Sequence, residues 1–254
     1  MELLAEGRNA EVFAYGEGRV LKLDRPDWTG LSPFEAEMLD LLACAGLPVA
    51  RSHGAVTVDG RTGVVLDRID GVPLGEVLRA AERHEVEALA ERFVELQWLL
   101  NSTAVAGLPP LVPRLRLELE SSIGDPGLRA GLLARLDALD DGTLGVVHYD
   151  FHPDNVLVAP DGGWIVIDWL TVAAGPAAAD LARTLVLRGQ RTTEPLPAFM
   201  NAVRRLGAQR RGLDDGDLDD WVRLVAAARL GEGFEGAEAD WLGQVAEGAV
   251  RLFA

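Results

Sequence analysis

Up to about residue 70 the apolar residues come in short bursts set apart by turn formers. Glu11–Tyr15 and Arg19–Asp24 are rich in β-formers and flank Gly16 and Gly18, a spacing that predicts a hairpin. Gly54–Val58 and Thr62–Asp67 repeat the arrangement about a Val-Asp-Gly-Arg turn at 58–61. Between the two pairs, Phe34, Met38, Leu41, Leu42 and Ala45 recur at helical spacing, which predicts a helix over Pro33–Ala45. Ser32 is its expected N-cap, Pro33 its first position, and Gly46 with Pro48 its stop.

Beyond residue 70 the period changes. Val86, Leu89, Ala90, Phe93, Leu96 and Leu100 predict a helix over Glu85–Asn101. Gly107–Pro113 breaks the pattern, and Gly127–Leu139 resumes it. Arg114–Glu120 alternates strictly, which by period alone predicts a strand. A β island interrupts the helices. Its strands are Leu144–Val147, Val156–Val158 and Trp164–Ile167, the last two joined by a turn over Ala159–Gly163. Three further helices are expected at Ala177–Leu187, Leu218–Leu230 and Ala239–Phe253. A strand-rich portion followed by a helix-rich one predicts an α+β fold in two lobes, residues 1–70 and 71–254.

Composition narrows the function classes. The chain has 254 residues, 48% of them apolar, enough for a sizeable core. Its one cysteine, Cys44, excludes an internal disulfide and a cysteine-based zinc site. Met1–Ala10 has no basic stretch followed by an apolar one, and no apolar run approaches the roughly 20 residues of a membrane span. The expectation is a cytoplasmic protein, monomer or homodimer, without a membrane partner. A net charge of −16 repels nucleic acid. Solubility alone accounts for such a charge, and it also permits a cationic substrate.

The densest chemistry lies in Val147–Val158, sequence VHYDFHPDNVLV, followed one turn and one strand later by Ile165–Trp169. Phosphoryl transfer needs a carboxylate to take the acceptor's proton and oxygen ligands to hold Mg²⁺ on the phosphates, all on a rigid floor. Asp150, then Asn155 five residues on, then Asp168 after a short hairpin supply those groups in that order. His148, Asp150 and His152, at alternate positions, allow a second reading as the ligands of a metal-dependent hydrolase. Lys22, in an apolar strand followed by a glutamate-bearing helix, fits an anion-binding lysine paired with either Glu35 or Glu37.

The stretch resembles the catalytic loop of the aminoglycoside phosphotransferases and the related choline and fructosamine kinases, usually H-G-D-x-H-x-x-N followed by I-D-W/F/L, and also that of protein kinases. The resemblance runs over about residues 6–190. It implies a bilobal protein-kinase-like fold, with an antiparallel β N-lobe carrying one helix and a mainly helical C-lobe. It implies Asp150 as catalytic base, Asn155 and Asp168 as Mg²⁺ ligands, and His148 as a brace. Glu35, followed by leucines and then Gly-Leu-Pro-Val, matches the family glutamate that pairs with Lys22. Gly7–Val12 resembles a degenerate phosphate loop, with Asn9 and Ala10 at the phosphates. Val65–Gly71 resembles the hinge that holds adenine, Asp67 and Ile69 being its main-chain contacts. Asp180 and Arg183 fall in a segment that braces the loop. The resemblance also favours helix over strand at Arg114–Glu120.

Two positions depart from the family pattern. Tyr149 and Asp154 each stand where glycine is common. The implied activity is transfer of the γ-phosphoryl of ATP or GTP to a hydroxyl of a small metabolite or aminoglycoside-type antibiotic. A catalytically weak nucleotide-binding homologue is the remaining alternative, against which stand Lys22, Asp150, Asn155 and Asp168. Acidic residues near the C-terminus, Asp214, Asp215, Asp217, Glu232, Glu235, Glu238 and Asp240, would suit a cationic acceptor.

Overall fold

The structure, a computed structural model, describes residues 1–189 and 195–253. It has an α+β, protein-kinase-like fold whose chain forms two compact units. One comprises Met1–Leu74, Val105–Gly107 and Pro153–Thr171; the other comprises Gly75–Ala104, Leu108–His152 and the chain from Val172 onward. The units are thus interleaved along the sequence rather than divided by one cut.

The first unit is built on five antiparallel strands. These are β1 (Leu3–Glu6), β2 (Ala10–Ala14), β3 (Arg19–Asp24), β4 (Ser52–Val58) and β5 (Arg61–Asp67), in the order β1-β2-β3-β5-β4. Leu21, Leu23 and Val65 form a buried cluster, with Phe13, Val56 and Val58 packed against it. Helix α1 (Leu31–Cys44) contacts β3, β4 and β5. It turns Met38, Leu39 and Leu42 inward, and Ala45 lies exposed, so the buried face is rotated from the expected stripe. Ser32 is not its N-cap. Gly30 holds that place, and the Ser32 hydroxyl donates instead to Asp24 Oδ1 at 2.6 Å. Asp24 also accepts from the amides of Gly30 and Ser32 and from the Thr62 hydroxyl, so a strand residue serves the helix as its cap.

A second small sheet in this unit joins β6 (Val72–Pro73) to the hairpin of β8 (Val156–Val158) and β9 (Trp164–Val166), in the order β6-β8-β9. The hairpin is moored to the segment after α1, where the Val166 amide donates to Pro48 O at 2.8 Å.

The second unit is mainly helical: α2 (Leu74–Ala80), α3 (Val86–Asn101), α4 (Leu111–Ser122), α5 (Pro126–Leu139), α6 (Ala177–Arg188), α7 (Leu196–Arg211), α8 (Asp215–Arg229) and α9 (Ala237–Ala246). A two-stranded ribbon pairs β7 (Gly145–Val147) with β10 (Ala173–Gly175). Arg114–Glu120 is helical: Leu111, Leu115 and Leu119 are buried one turn apart, and Leu117 is 66% exposed. The local alternation was therefore a two-sided helix read at half its period. Helix α9 stops at Ala246, well short of Phe253, where Gly248 takes a left-handed φ of 80°. Helix α8 starts earlier than expected because Asp214 caps it, accepting from the Asp217 amide at 2.8 Å. Helices α2 and α7 and strands β1, β6 and β10 were not predicted from the sequence. Among the described residues no helix is long and apolar enough to cross a membrane.

Candidate active site

Strand β3 lies inside the sheet, with Lys22 opposite Val12 on one side and Val64 on the other. Its ammonium donates to Glu35 Oε1 at 2.9 Å and to Asp168 Oδ1 at 2.8 Å. Glu35 is buried on α1, and its Oε1 also accepts from the Trp169 amide at 3.1 Å. Glu37, the other candidate, lies exposed. Burial alone would push the Lys22 ammonium down, but the charges of Glu35 and Asp168 outweigh that and hold it above its ordinary value. Asp24, two residues along β3, fixes the start of α1, so one strand positions both the lysine and the helix that carries its partner.

Asn155 and Asp168 lie at adjacent ends of the β8–β9 hairpin, where the Ile167 amide donates to Asn155 O at 3.0 Å. Asp168 takes a left-handed φ of 65°, which aspartate tolerates better than most residues. Its side chain keeps 42% of its exposure, against 14% for Lys22 and 2% for Glu35.

Gly7 donates its amide to Ala10 O at 2.8 Å, closing a two-residue turn with Arg8 and Asn9 at its tip. Asn9 Oδ1 is buried without a hydrogen-bond partner among the described residues, and Ala10 is buried. At the end of β5 the Asp67 amide donates to Arg51 O at 3.0 Å. The Asp67 carboxylate meets His53 Nε2 at 2.6 Å. Ile69 follows, half-buried.

Asp150 belongs to the second unit, on a loop anchored by Phe151. Phe151 is fully buried, its ring 4.5 Å from that of Phe93, which in turn lies 5.3 Å from Phe199. With Phe151 inward, Asp150 and His152 on either side are only half-buried. His148 is fully buried, and its Nδ1 accepts the Asp150 amide at 3.2 Å.

Tyr149 has φ of 62°, the left-handed conformation in which glycine is free and tyrosine is not. Helix α6 holds it there. Asp180 Oδ1 accepts the Tyr149 amide at 2.8 Å, and Arg183 Nε donates to the Tyr149 carbonyl at 3.1 Å. The ring is buried, with the Arg114 guanidinium 4.7 Å from its centroid and that of Arg183 4.9 Å. One turn on, the Thr184 hydroxyl donates to Phe151 O at 2.7 Å. A further turn on, Arg188 Nη2 meets His152 Nδ1 at 2.6 Å. One helix thus grips residues 149, 151 and 152 from its successive turns. Asp180 and Arg183, three positions apart, do not pair with each other; each bonds the loop. Thr184 and Arg188 were missed from the sequence; their recurrence four residues apart from Asp180 was the available signal.

Of the carboxylates near the C-terminus, Glu232, Glu238 and Asp215 meet arginines and Asp214 caps α8. Arg183 Nη2 lies 2.6 Å from Glu232 Oε1, Arg229 Nη2 lies 3.4 Å from Glu238, and Arg204 reaches both Asp215 and Asp219. The hydrolase reading has no assembled ligand set, because among the described residues no three of His, Cys, Asp and Glu converge as metal ligands.

The sequence matches the model of the phosphotransferase enzyme family over residues 1–215. No curated protein matches it. Similar solved structures include aminoglycoside phosphotransferase APH(4)-Ia, with TM-score 0.69 and 17% identity over 97% of this chain and 91% of that one. The choline kinase LicA from Streptococcus pneumoniae gives 0.63 and 15% over 98% and 92%. APH(3'')-Id from Streptomyces rimosus, solved with ADP and streptomycin, gives 0.61 and 18% over 88% and 91%. At these identities the likeness carries the fold.

Proposed function

The chain belongs to the phosphotransferase enzyme family, and from that premise we propose that it moves the γ-phosphoryl group of ATP or GTP to a hydroxyl of a small molecule. The observation that supports this most is the set of bonds by which Lys22 meets both Glu35 and Asp168. A lysine so oriented presents its charge to phosphate oxygens. In this reading Asn9 and Ala10 border the phosphates, and the Asp67 carbonyl with the Ile69 amide holds the base. Asp150 accepts the proton of the acceptor hydroxyl as that oxygen attacks phosphorus.

Asn155 and Asp168 offer the hard oxygen donors that Mg²⁺ prefers, from adjacent ends of one hairpin, and so fit the ion. Bound there, Mg²⁺ would neutralise charge on the phosphates. The acceptor is read as a hydroxylated metabolite or an aminoglycoside-type antibiotic, and the net charge of −16 draws a cationic one towards the protein.

Asp150→Asn is the direct test. It should cut turnover by about 10²–10⁴ while leaving Mg-nucleotide affinity intact, because it removes the base and no phosphate contact. Turnover retained in that variant would refute the role. Asp168→Ala should instead weaken metal-dependent nucleotide binding. A phosphate-release screen with Mg-ATP and Mg-GTP across aminoglycosides and hydroxylated metabolites identifies the acceptor.

A further inference from the structure

We propose that Arg188 is a positioning residue for this phosphoryl transfer, fixing His152 as the Nε2–H tautomer with that N–H turned towards Asp150. The proposal rests on the reading of Asp150 as the base. A guanidinium has five donors and no acceptor. Its Nη2 lies 2.6 Å from His152 Nδ1, so that nitrogen must hold a lone pair and the ring proton must sit on Nε2. Nε2 in turn lies 3.8 Å from Asp150 Oδ2. That is longer than a hydrogen bond, and such bonds commonly tighten only when substrate is present.

The surroundings favour the arrangement. Arg188 is buried at the last position of α6, where a cation suits the helix dipole. The same face of α6 holds Tyr149 through Asp180 and Arg183, and Phe151 through Thr184. The His152 ring is thereby set from both its backbone and its Nδ1. Facing an N–H donor at its Oδ2, the Asp150 carboxylate is held in one orientation towards the acceptor's proton. The Asp150 carboxylate also feels the charges of Arg183 and Arg229, so His152 contributes direction rather than most of the charge balance.

The chain's four histidines make the tautomer measurable by long-range ¹H–¹⁵N correlation on ¹⁵N-histidine-labelled protein. His152 is assigned by the signal lost in His152→Gln. We expect a pyridine-type Nδ1 and a pyrrole-type Nε2 in the intact protein, and a tautomer mixture in Arg188→Met. An Nδ1–H tautomer or an imidazolium in the intact protein overturns the proposal, whatever the turnover.

Turnover is read with Mg-ATP and water as acceptor. Arg188→Met should lower kcat by between about 10- and 100-fold, the range for residues that orient another functional side chain, with KM for ATP unchanged. Arg188→Lys should recover part of it. His152→Gln, whose amide N–H₂ can stand at the Nε2 position, should retain more kcat than His152→Asn, which also covers the case in which Arg188→Met fails to fold. Equal losses in those two, or an unchanged kcat in folded Arg188→Met, overturn the inference. If the intact protein shows the expected tautomer but Asp150→Asn keeps its turnover, the reading of Asp150 has failed instead.

Discussion

Lys22 Nζ and Asp168 Oδ1, 146 positions apart in sequence, stand 2.8 Å apart in the first unit. Glu35 completes the cluster from below, its Oε2 2.8 Å from the same ammonium. The lysine is shared between a buried carboxylate and a half-exposed one, so its two bonds differ in consequence.

Loss of the lysine should strand Glu35. We expect Lys22→Met to destabilise the fold by about 3 kcal/mol, the scale for breaking a buried pair from one side. Lys22→Met combined with Glu35→Gln should recover part of that loss in urea denaturation. The pH sign follows from the raised ammonium. Its contribution is complete below the lysine's ordinary 10.5 and is lost as pH rises beyond that through the folded value. The Lys22→Met variant should therefore show a flatter alkaline limb than the parent.

Asp24 controls the acid limb. Burial alone would raise its carboxyl, but the hydroxyls of Ser32 and Thr62 and the amides of Ser32 and Gly30 outweigh burial and hold it below its ordinary 3.8. Stability from this group is complete above that value and is lost as pH falls through the folded one. Asp24→Ala should cost at least about 2 kcal/mol, from a lost cap and charged hydrogen bonds. It should also weaken acid unfolding's dependence on pH, measured by circular dichroism between neutral and strongly acid solution.

Tyr149 tests strain against packing. Its hydroxyl is buried with no hydrogen-bond partner among the described residues, and burial pushes it well above the usual phenol range. Tyr149→Phe should then be neutral or stabilise by about 1 kcal/mol. Tyr149→Ala keeps the left-handed backbone and loses the ring, and should be the least stable. Tyr149→Gly should exceed it by about 1 kcal/mol through relief at φ of 62°. Thermal unfolding of the three variants checks the order.

Gly145 admits no side chain. A Cβ there would sit 1.8 Å from the carbonyl oxygen of Asn101. Asn101 is fixed, because its Nδ2 donates to Val146 O and to Asp180 Oδ2, each at 2.9 Å. Gly145→Ala should cost about 3 kcal/mol or more by overpacking, and should reduce turnover through Asp180, which also holds Tyr149.

The period of the chain made the two regimes of secondary structure legible, and the order Asp150, Asn155, Asp168 suggested the phosphoryl-transfer reading. Where several physical demands met on one residue, the sequence was silent. Ser32 reads as a helix cap by type and place, but Asp24 competes for its hydroxyl from a neighbouring strand. Glu35 and Glu37 differ little in helical phase, and only the packing of α1 on the sheet turns Glu35 inward. Arg114–Glu120 alternates because one helix face is leucine and the other charged, a pattern that a short window cannot separate from a strand. The second half of helix α7 carries Arg204, Arg205, Arg210 and Arg211, three of them committed to Asp219, Glu87 and Glu95 on other elements, so this half reads as polar in sequence.

The grip of helix α6 on the loop has a bearing on how the protein fails. A tyrosine in a left-handed turn has no preference of its own for that shape, so the segment 148–152 borrows its order from the helix beside it. Cut out as a peptide, it would not keep it. The Tyr149 amide should exchange with deuterium at the rate at which α6 undocks, as slowly as the helix's own interior amides. Warming should therefore extinguish the geometry around Asp150 in a single step when α6 lets go, rather than by gradual loosening of the loop.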